Sequence, residues 1–282
     1  MSGGSLAGYS AEGDKLPFGS KFVEAATRGS EDRNRTAPFP FCGNRFEFRA
    51  VGSSQNVAQP MAYLNTMAAA GLASVSDKIE AGASPRDAVA ATFSENARVI
   101  FNGNGYSDEW PVEAASRGLL NLPNTPVALS YFDSDKNKKL FTTQGVFTEA
   151  EVVARKNVML DEYINQLLIE AETALNMANR DYLPACAADM SSYSGSAAVL
   201  AGDRAAVYGT VALETQGLAD ALAKVPSGGN QETAEYFNDT VKPAMATLRE
   251  AVDAAEGLCE SSKWPMATYG ELLFHHHQHP EA

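Results

Sequence analysis

Histidine is missing from this 282-residue chain until its last few positions, where all four stand at 275, 276, 277 and 279. That absence removes a Ser-His or Cys-His dyad and an HExxH zinc site from the body of the protein. Cysteine is scarce as well. Cys42, Cys186 and Cys259 are odd in number, far apart and without metal-ligand spacing, which suits buried free thiols in a reducing cytoplasm rather than a disulfide framework. Positive charge is in deficit, 22 lysines and arginines against 35 acidic residues, for a formal net charge of −13. This balance argues against nucleic acid and anionic membranes as partners, because counterion release needs a basic surface. No apolar run approaches the length of a membrane span, and the start, MSGGSLAGYSAEGDKLPFG, has neither a signal-peptide core nor an arginine-rich amphipathic pattern. It reads as a flexible leader, and the histidine-rich end reads as a disordered polar tail with weak metal affinity at most.

Against that acidic background one stretch is rich in arginine: residues 31–54, EDRNRTAPFPFCGNRFEFRAVGSS. Residues 45–51 alternate, so an extended strand would put Arg45, Glu47 and Arg49 on one face and Phe46 and Phe48 on the other. Arg33 and Arg35 lie just upstream, separated from that strand by Pro38, Pro40 and Gly43, which favour a turn. A hairpin there would bring up to four arginines to one glutamate. Guanidiniums make forked, charge-assisted hydrogen bonds to carboxylates and phosphates, and a carboxylate oxygen is a hard ligand for a divalent cation. The same alternation also fits a solvated strand face whose charges pair with each other, at about 0–1 kcal/mol per pair.

Asn34-Arg35-Thr36 followed by Arg45-Phe46-Glu47-Phe48-Arg49 resembles the closing part of the catalytic domain of glutamine synthetases, where an NRS or NRT segment precedes an R-x-E-x-R strand. Two further segments are similar to the large type III class: FNGNGYSDEW at 101–110 and KWPMATYGELLF at 263–274. The resemblance implies ATP-dependent amide ligation, in which the γ-carboxylate of glutamate is phosphorylated and ammonia displaces the phosphate, with ATP and Mg2+ or Mn2+ as cofactors. By position it implies a catalytic Arg35 near the transferring phosphoryl group, a catalytic Arg49 holding glutamate and its phosphorylated form, a nucleotide-side Arg45 and a metal-ligating Glu47. Phe39, Pro40 and Phe41 stand where other classes carry a further arginine and a lysine, so those nucleotide contacts do not transfer. The family's remaining metal ligands, its glutamate loop and its ammonia site precede the NRT motif, where this chain offers only an unmatched leader. The expectation is therefore a carboxy-terminal portion, incomplete alone, whose partners are a missing amino-terminal half or further copies in a homo-oligomer. The alternative is a non-catalytic helical assembly or regulatory protein derived from the synthetase.

The rest of the chain reads as helix. Residues 19–29 suggest a short one. Val57, Met61, Leu64, Ala68, Leu72, Val75 and Ile79 mark a long amphipathic helix with Pro60 in its first turn and Gly82 at its end. Ser84 and Pro85 open the next, with a stripe at Val89, Phe93, Ala97 and Ile100, closed by the 101–110 loop where Ser107 or Asp108 would cap another. Asn102, Asn104, Tyr106 and Asp108 are candidates for lining a site, although a plain helix-closing loop fits them as well. Residues 119–147 read as an irregular connector with one short helix, and Lys136, Lys138, Lys139 and Lys156 as solvated. Thr148 to Glu151 is a capping box opening a helix of about thirty residues. Its stripe is Val153, Leu160, Ile164, Leu168, Ala171, Leu175 and Ala178, with Glu162, Glu170 and Glu172 off it. Two more helices are expected around Val207 to Leu222 and around Phe237 to Ala255, the second kinked or begun at Pro243. The fold class is thus α+β and predominantly α-helical, a short antiparallel β element followed by a long-helix bundle. Its expected divisions are a leader at 1–30, the end of a catalytic domain at 31–112, a helical domain at 113–263 and a tail at 264–282.

Overall fold

A computed structural model describes residues 15–16, 22, 26–27, 39, 45–49, 52, 55–100, 105–267 and 269–274. The chain divides into two compact units, residues 1–121 and 122–282. Helix dominates the described residues of both.

In the first unit, β1 (Lys15–Leu16) pairs antiparallel with β2 (Ala26–Thr27), Lys15 opposite Thr27 and Leu16 opposite Ala26. This small ladder lies where a leader and a short helix at 19–29 were expected. The expected β element at the arginine stretch is not formed in the described residues: 45–49 carry no strand, only one isolated bridge at Phe46. Alternation alone does not make a strand without a neighbour to take its backbone hydrogen bonds.

Helix α1 (Ala58–Glu80) carries Pro60 in its first turn, and Gly82 follows its end with a φ of 100°, a conformation that glycine adopts without a Cβ clash. Helix α2 (Pro85–Glu95) is capped by Ser84, whose hydroxyl accepts from the Asp87 N–H at 3.1 Å. It stops at Glu95, and a 3-10 turn, Ala97–Val99, follows. The expected buried stripe of α2 is not buried: Val89 and Phe93 are exposed, and Ala88 is the enclosed residue. In α1 only Thr66 is buried, while Met61, Leu72 and Ile79 are exposed. Helix α3 (Glu109–Ser116) starts at Asp108 without a side-chain cap. The Ser107 side chain bonds Glu109 instead, holding that carboxyl below its usual range.

The second unit begins with α4 (Thr125–Ser130) and α5 (Asp135–Thr143), two short helices where one was expected. Lys156 is not solvated: it donates to Asp133 at 3.0 Å and is mostly covered. Helix α6 (Glu149–Met177) has the full capping box, the Thr148 hydroxyl accepting from the Glu151 N–H and the Glu151 carboxylate accepting from the Thr148 N–H at 2.7 Å. Leu160 and Ala171 are enclosed as the stripe required; near the start Val152 rather than Val153 faces inward.

Five π-helical residues, Ala178–Tyr182, join α6 to α7 (Leu183–Ser191). A second set, Phe237–Val241, joins α9 (Asn230–Tyr236) to α10 (Lys242–Glu256). Each set ends two positions before a proline, Pro184 and Pro243. Proline has no N–H and its ring collides with the carbonyl four residues back, which here lies within the widened stretch in both cases. The prolines are thus absorbed by a wider turn rather than by a break.

Helix α8 (Arg204–Ala223) packs on α10, and α6 packs on both and on α9. Their shared core includes Ala171, Val211, Leu218, Phe237, Val241 and Leu248, all nearly or wholly buried. Each large aliphatic or aromatic side chain enclosed this way stabilises the unit by about 1.5–3 kcal/mol before ordering costs. The expected tail from 264 starts with a buried residue, Trp264, and continues into α11 (Tyr269–Phe274). Residues 275–282, with the histidines, lie outside the described residues. No helix among those described is long and apolar enough to cross a membrane.

Candidate functional site

The arginine stretch is visible in part. Arg49 Nη2 donates to Glu47 Oε2 at 2.9 Å, so the two do share a side of the chain, as alternation required. Arg49 is half-buried and Glu47 exposed. Phe46, on the opposite parity, stacks on Phe39 with ring centroids 4.8 Å apart and planes 10° from parallel, which sets an aromatic surface behind part of the cluster. Phe46 and Phe48 nevertheless keep much of their area exposed, so the backing is incomplete. Arg45 is exposed beside them. Arg33, Arg35 and Cys42 lie outside the described residues, as do Asn102 and Asn104. Tyr106 is exposed near the start of α3.

The chemistry available at 45–49 is that of a small ionic patch. A partly exposed pair such as Glu47 and Arg49 contributes no more than about 1 kcal/mol to stability. Its value lies in orientation, since the carboxylate fixes one edge of the guanidinium. No group of three or more His, Cys, Asp or Glu able to hold a metal occurs among the described residues. Glu47, already bonded to Arg49, is a single carboxylate, whereas magnesium and manganese sites of this kind need several oxygen ligands. The described residues therefore do not fit a divalent ion by themselves.

A family model for the glutamine synthetase C-terminal domain matches residues 86–199. The type-3 glutamine synthetase of Dictyostelium discoideum is 35% identical over 288 residues, covering 93% of this chain. This chain belongs to the glutamine synthetase family. A glutamine synthetase of Butyrivibrio fibrisolvens is 34% identical across 88% of the chain, and one of Bacteroides fragilis 29% identical across 86%. The chain corresponds to a carboxy-terminal portion of such a synthetase. It spans about two fifths of the length of these relatives, 39%, 38% and 37% respectively.

A second polar constellation, missed in the sequence, is buried in the helical unit. The carboxylate of Asp189 on α7, fully enclosed, accepts from the Tyr208 hydroxyl at 2.7 Å, Arg204 Nε at 3.0 Å and the Glu260 N–H at 3.1 Å. Burial pushes its carboxyl up, but the bonds from Tyr208, Glu260 and Arg204 outweigh this and hold it below the usual range. Arg204 also donates to the carbonyl of Leu258 at 2.6 Å and lies over the Tyr193 ring. Every partner is accounted for, which marks the cluster as a tie between α7, α8 and the chain after α10. Its role here is structural. The only sequence signal was an acid on an otherwise apolar turn, LPACAADM.

Proposed function

We propose that this chain supplies the carboxy-terminal share of an ATP-dependent glutamate–ammonia ligase and works in the cytoplasm together with the amino-terminal share, which carries the remainder of the site. Its substrates in that assembly are glutamate, ammonia and ATP. Arg35 and Arg49 are the catalytic arginines of the proposal, and Arg45 contacts the nucleotide. Charge accumulates on phosphoryl oxygens in such a transfer, and guanidiniums held in place beforehand stabilise it without reorganising. Glu47 positions Arg49 and would add one carboxylate to a divalent ion held chiefly by carboxylates from elsewhere; ATP and Mg2+ or Mn2+ are cofactors of the whole assembly. The observation that carries the reading is the Glu47–Arg49 pair, formed in a chain that is 35% identical to the type-3 relative over 93% of its length.

The test is γ-glutamyl transfer and glutamine synthesis with magnesium or manganese, for the chain alone and mixed with the amino-terminal three fifths of a type-3 synthetase. The chain alone is expected to be inactive. Activity in the mixture, lost by at least a hundredfold (about 2.7 kcal/mol) with Arg49→Ala, supports the proposal. Full activity of the isolated chain, or a mixture indifferent to Arg49→Ala, sinks it.

A second reading, a non-catalytic assembly or regulatory module, is favoured by one observation: the best-enclosed part of the molecule is the helical unit, which holds none of the proposed catalytic residues. A chain that binds intact synthetase and alters its oligomeric state, without restoring activity to the amino-terminal portion, would favour it.

A further inference from the structure

The helical unit contains a cavity of about 390 Å³ that no step of the ligase reading uses. Protein interiors leave few voids larger than a water molecule, whereas small-ligand sites fall at roughly 300–1,000 Å³. Met177 at the end of α6, Met245, Leu248 and Val252 on α10, and Leu272 on α11 form its apolar lining. One wall is aromatic: Tyr182, in the first π-helical stretch, stacks on Trp264 with centroids 5.3 Å apart and planes 19° from parallel. Wide turns of this kind recur at ligand sites because they re-aim a side chain that an α-turn would direct elsewhere.

The mouth is ionic. Arg249 Nε donates to Asp253 Oδ1 at 2.6 Å, an exposed pair one turn apart. Glu256 lies three residues further on the same helix, lines the cavity, is half-buried and has no ion-pair or hydrogen-bond partner among the described residues. Asp181 stands beside Tyr182 and acts on its hydroxyl together with Arg249, Glu256 and Asp253. Among the described lining residues one guanidinium stands against two carboxylates, Asp253 and Glu256, which leaves the mouth net negative beside a ring pair whose faces attract cations.

We propose that this cavity binds a small organic cation, an apolar ring or branched alkyl body bearing one ammonium or guanidinium group. The body fills the methionine-lined floor and stacks at Tyr182 and Trp264; the charged head meets Glu256. Nothing in the proposed ligase chemistry depends on it, so either proposal stands without the other.

The experiment titrates the full chain with 2-phenylethylamine, 2-phenylethanol and phenylacetate, following tryptophan fluorescence and confirming by calorimetry. The amine is expected to bind saturably, about threefold or more tighter than the alcohol and at least about tenfold tighter than the acid. Glu256→Gln should erase the advantage of the amine while leaving the alcohol unchanged, and Ala174→Phe, which fills the cavity from α6, should abolish binding of all three. Equal binding of the three probes, no saturable binding, or amine binding that survives a folded Ala174→Phe overturns the proposal. Should Ala174→Phe lose its helical circular dichroism, the Glu256→Gln comparison decides alone.

Discussion

At the scale of single residues, three hydrogen bonds converge on the buried carboxylate of Asp189. Its three donors come from positions 15, 19 and 71 residues away, so removing the carboxylate strands a half-buried guanidinium and a buried hydroxyl together. Asp189→Ala is expected to cost roughly 3–5 kcal/mol, read as a lower urea midpoint. Because the folded carboxyl is held below its unfolded value, its contribution is present above the ordinary carboxylate range and is lost as pH falls through the depressed value. Urea midpoints measured from pH 7 down to pH 3 should therefore fall less steeply for Asp189→Asn than for the parent chain; parallel acid limbs would contradict this. The long reach of these partners is also why the cluster was invisible in the sequence. Glu47 and Arg49, by contrast, are two positions apart, and a period-2 pattern placed them side by side correctly even though no strand forms there.

At the scale of elements, local signals did well where a cap or a breaker carried them. Ser84, Gly82 and the Thr148–Glu151 box occupy the positions their chemistry requires. Thr148→Ala should lower stability by about 1 kcal/mol and the thermal midpoint of its unit by about 2–4 °C. A change under half a degree would mean that α6 is held by its packing alone. Burial was less legible than helicity. The apolar spacing of α1 and α2 is correct for amphipathic helices, but spacing cannot say whether anything covers the stripe, and here Met61, Leu72, Val89 and Phe93 stay exposed. The expected β element is not formed among the described residues 45–49 for a related reason, since pairing partners are not written in the strand itself.

At the scale of the whole molecule, enclosure is unequal. Unit 122–282 holds the large buried cluster, whereas Thr66 and Ala88 are the buried residues of α1 and α2 in unit 1–121. Amide exchange should show this directly, with α1 and α2 losing protection at least about tenfold sooner than α6, α8 and α10. Addition of the amino-terminal synthetase portion should slow exchange in α1 if that portion covers its apolar stripe; unchanged rates would place the contact elsewhere. Compositional reading captured the scale of the helical content and the family's three separated motifs, but nothing in it distinguished a covered stripe from a bare one. The two π-helical stretches bear on how this helical unit tolerates change in length. Each holds one residue more per turn than an α-helix, so it stores a single position of slack just ahead of its proline. Losing one residue from 178–182 would return the turn to α spacing, four residues at about 100° each spanning nearly the rotation that five now span, and so would leave Cys186 and Asp189 close to their present phase. The widened turn that accommodates Pro184 thereby also preserves the phase of every side chain after it.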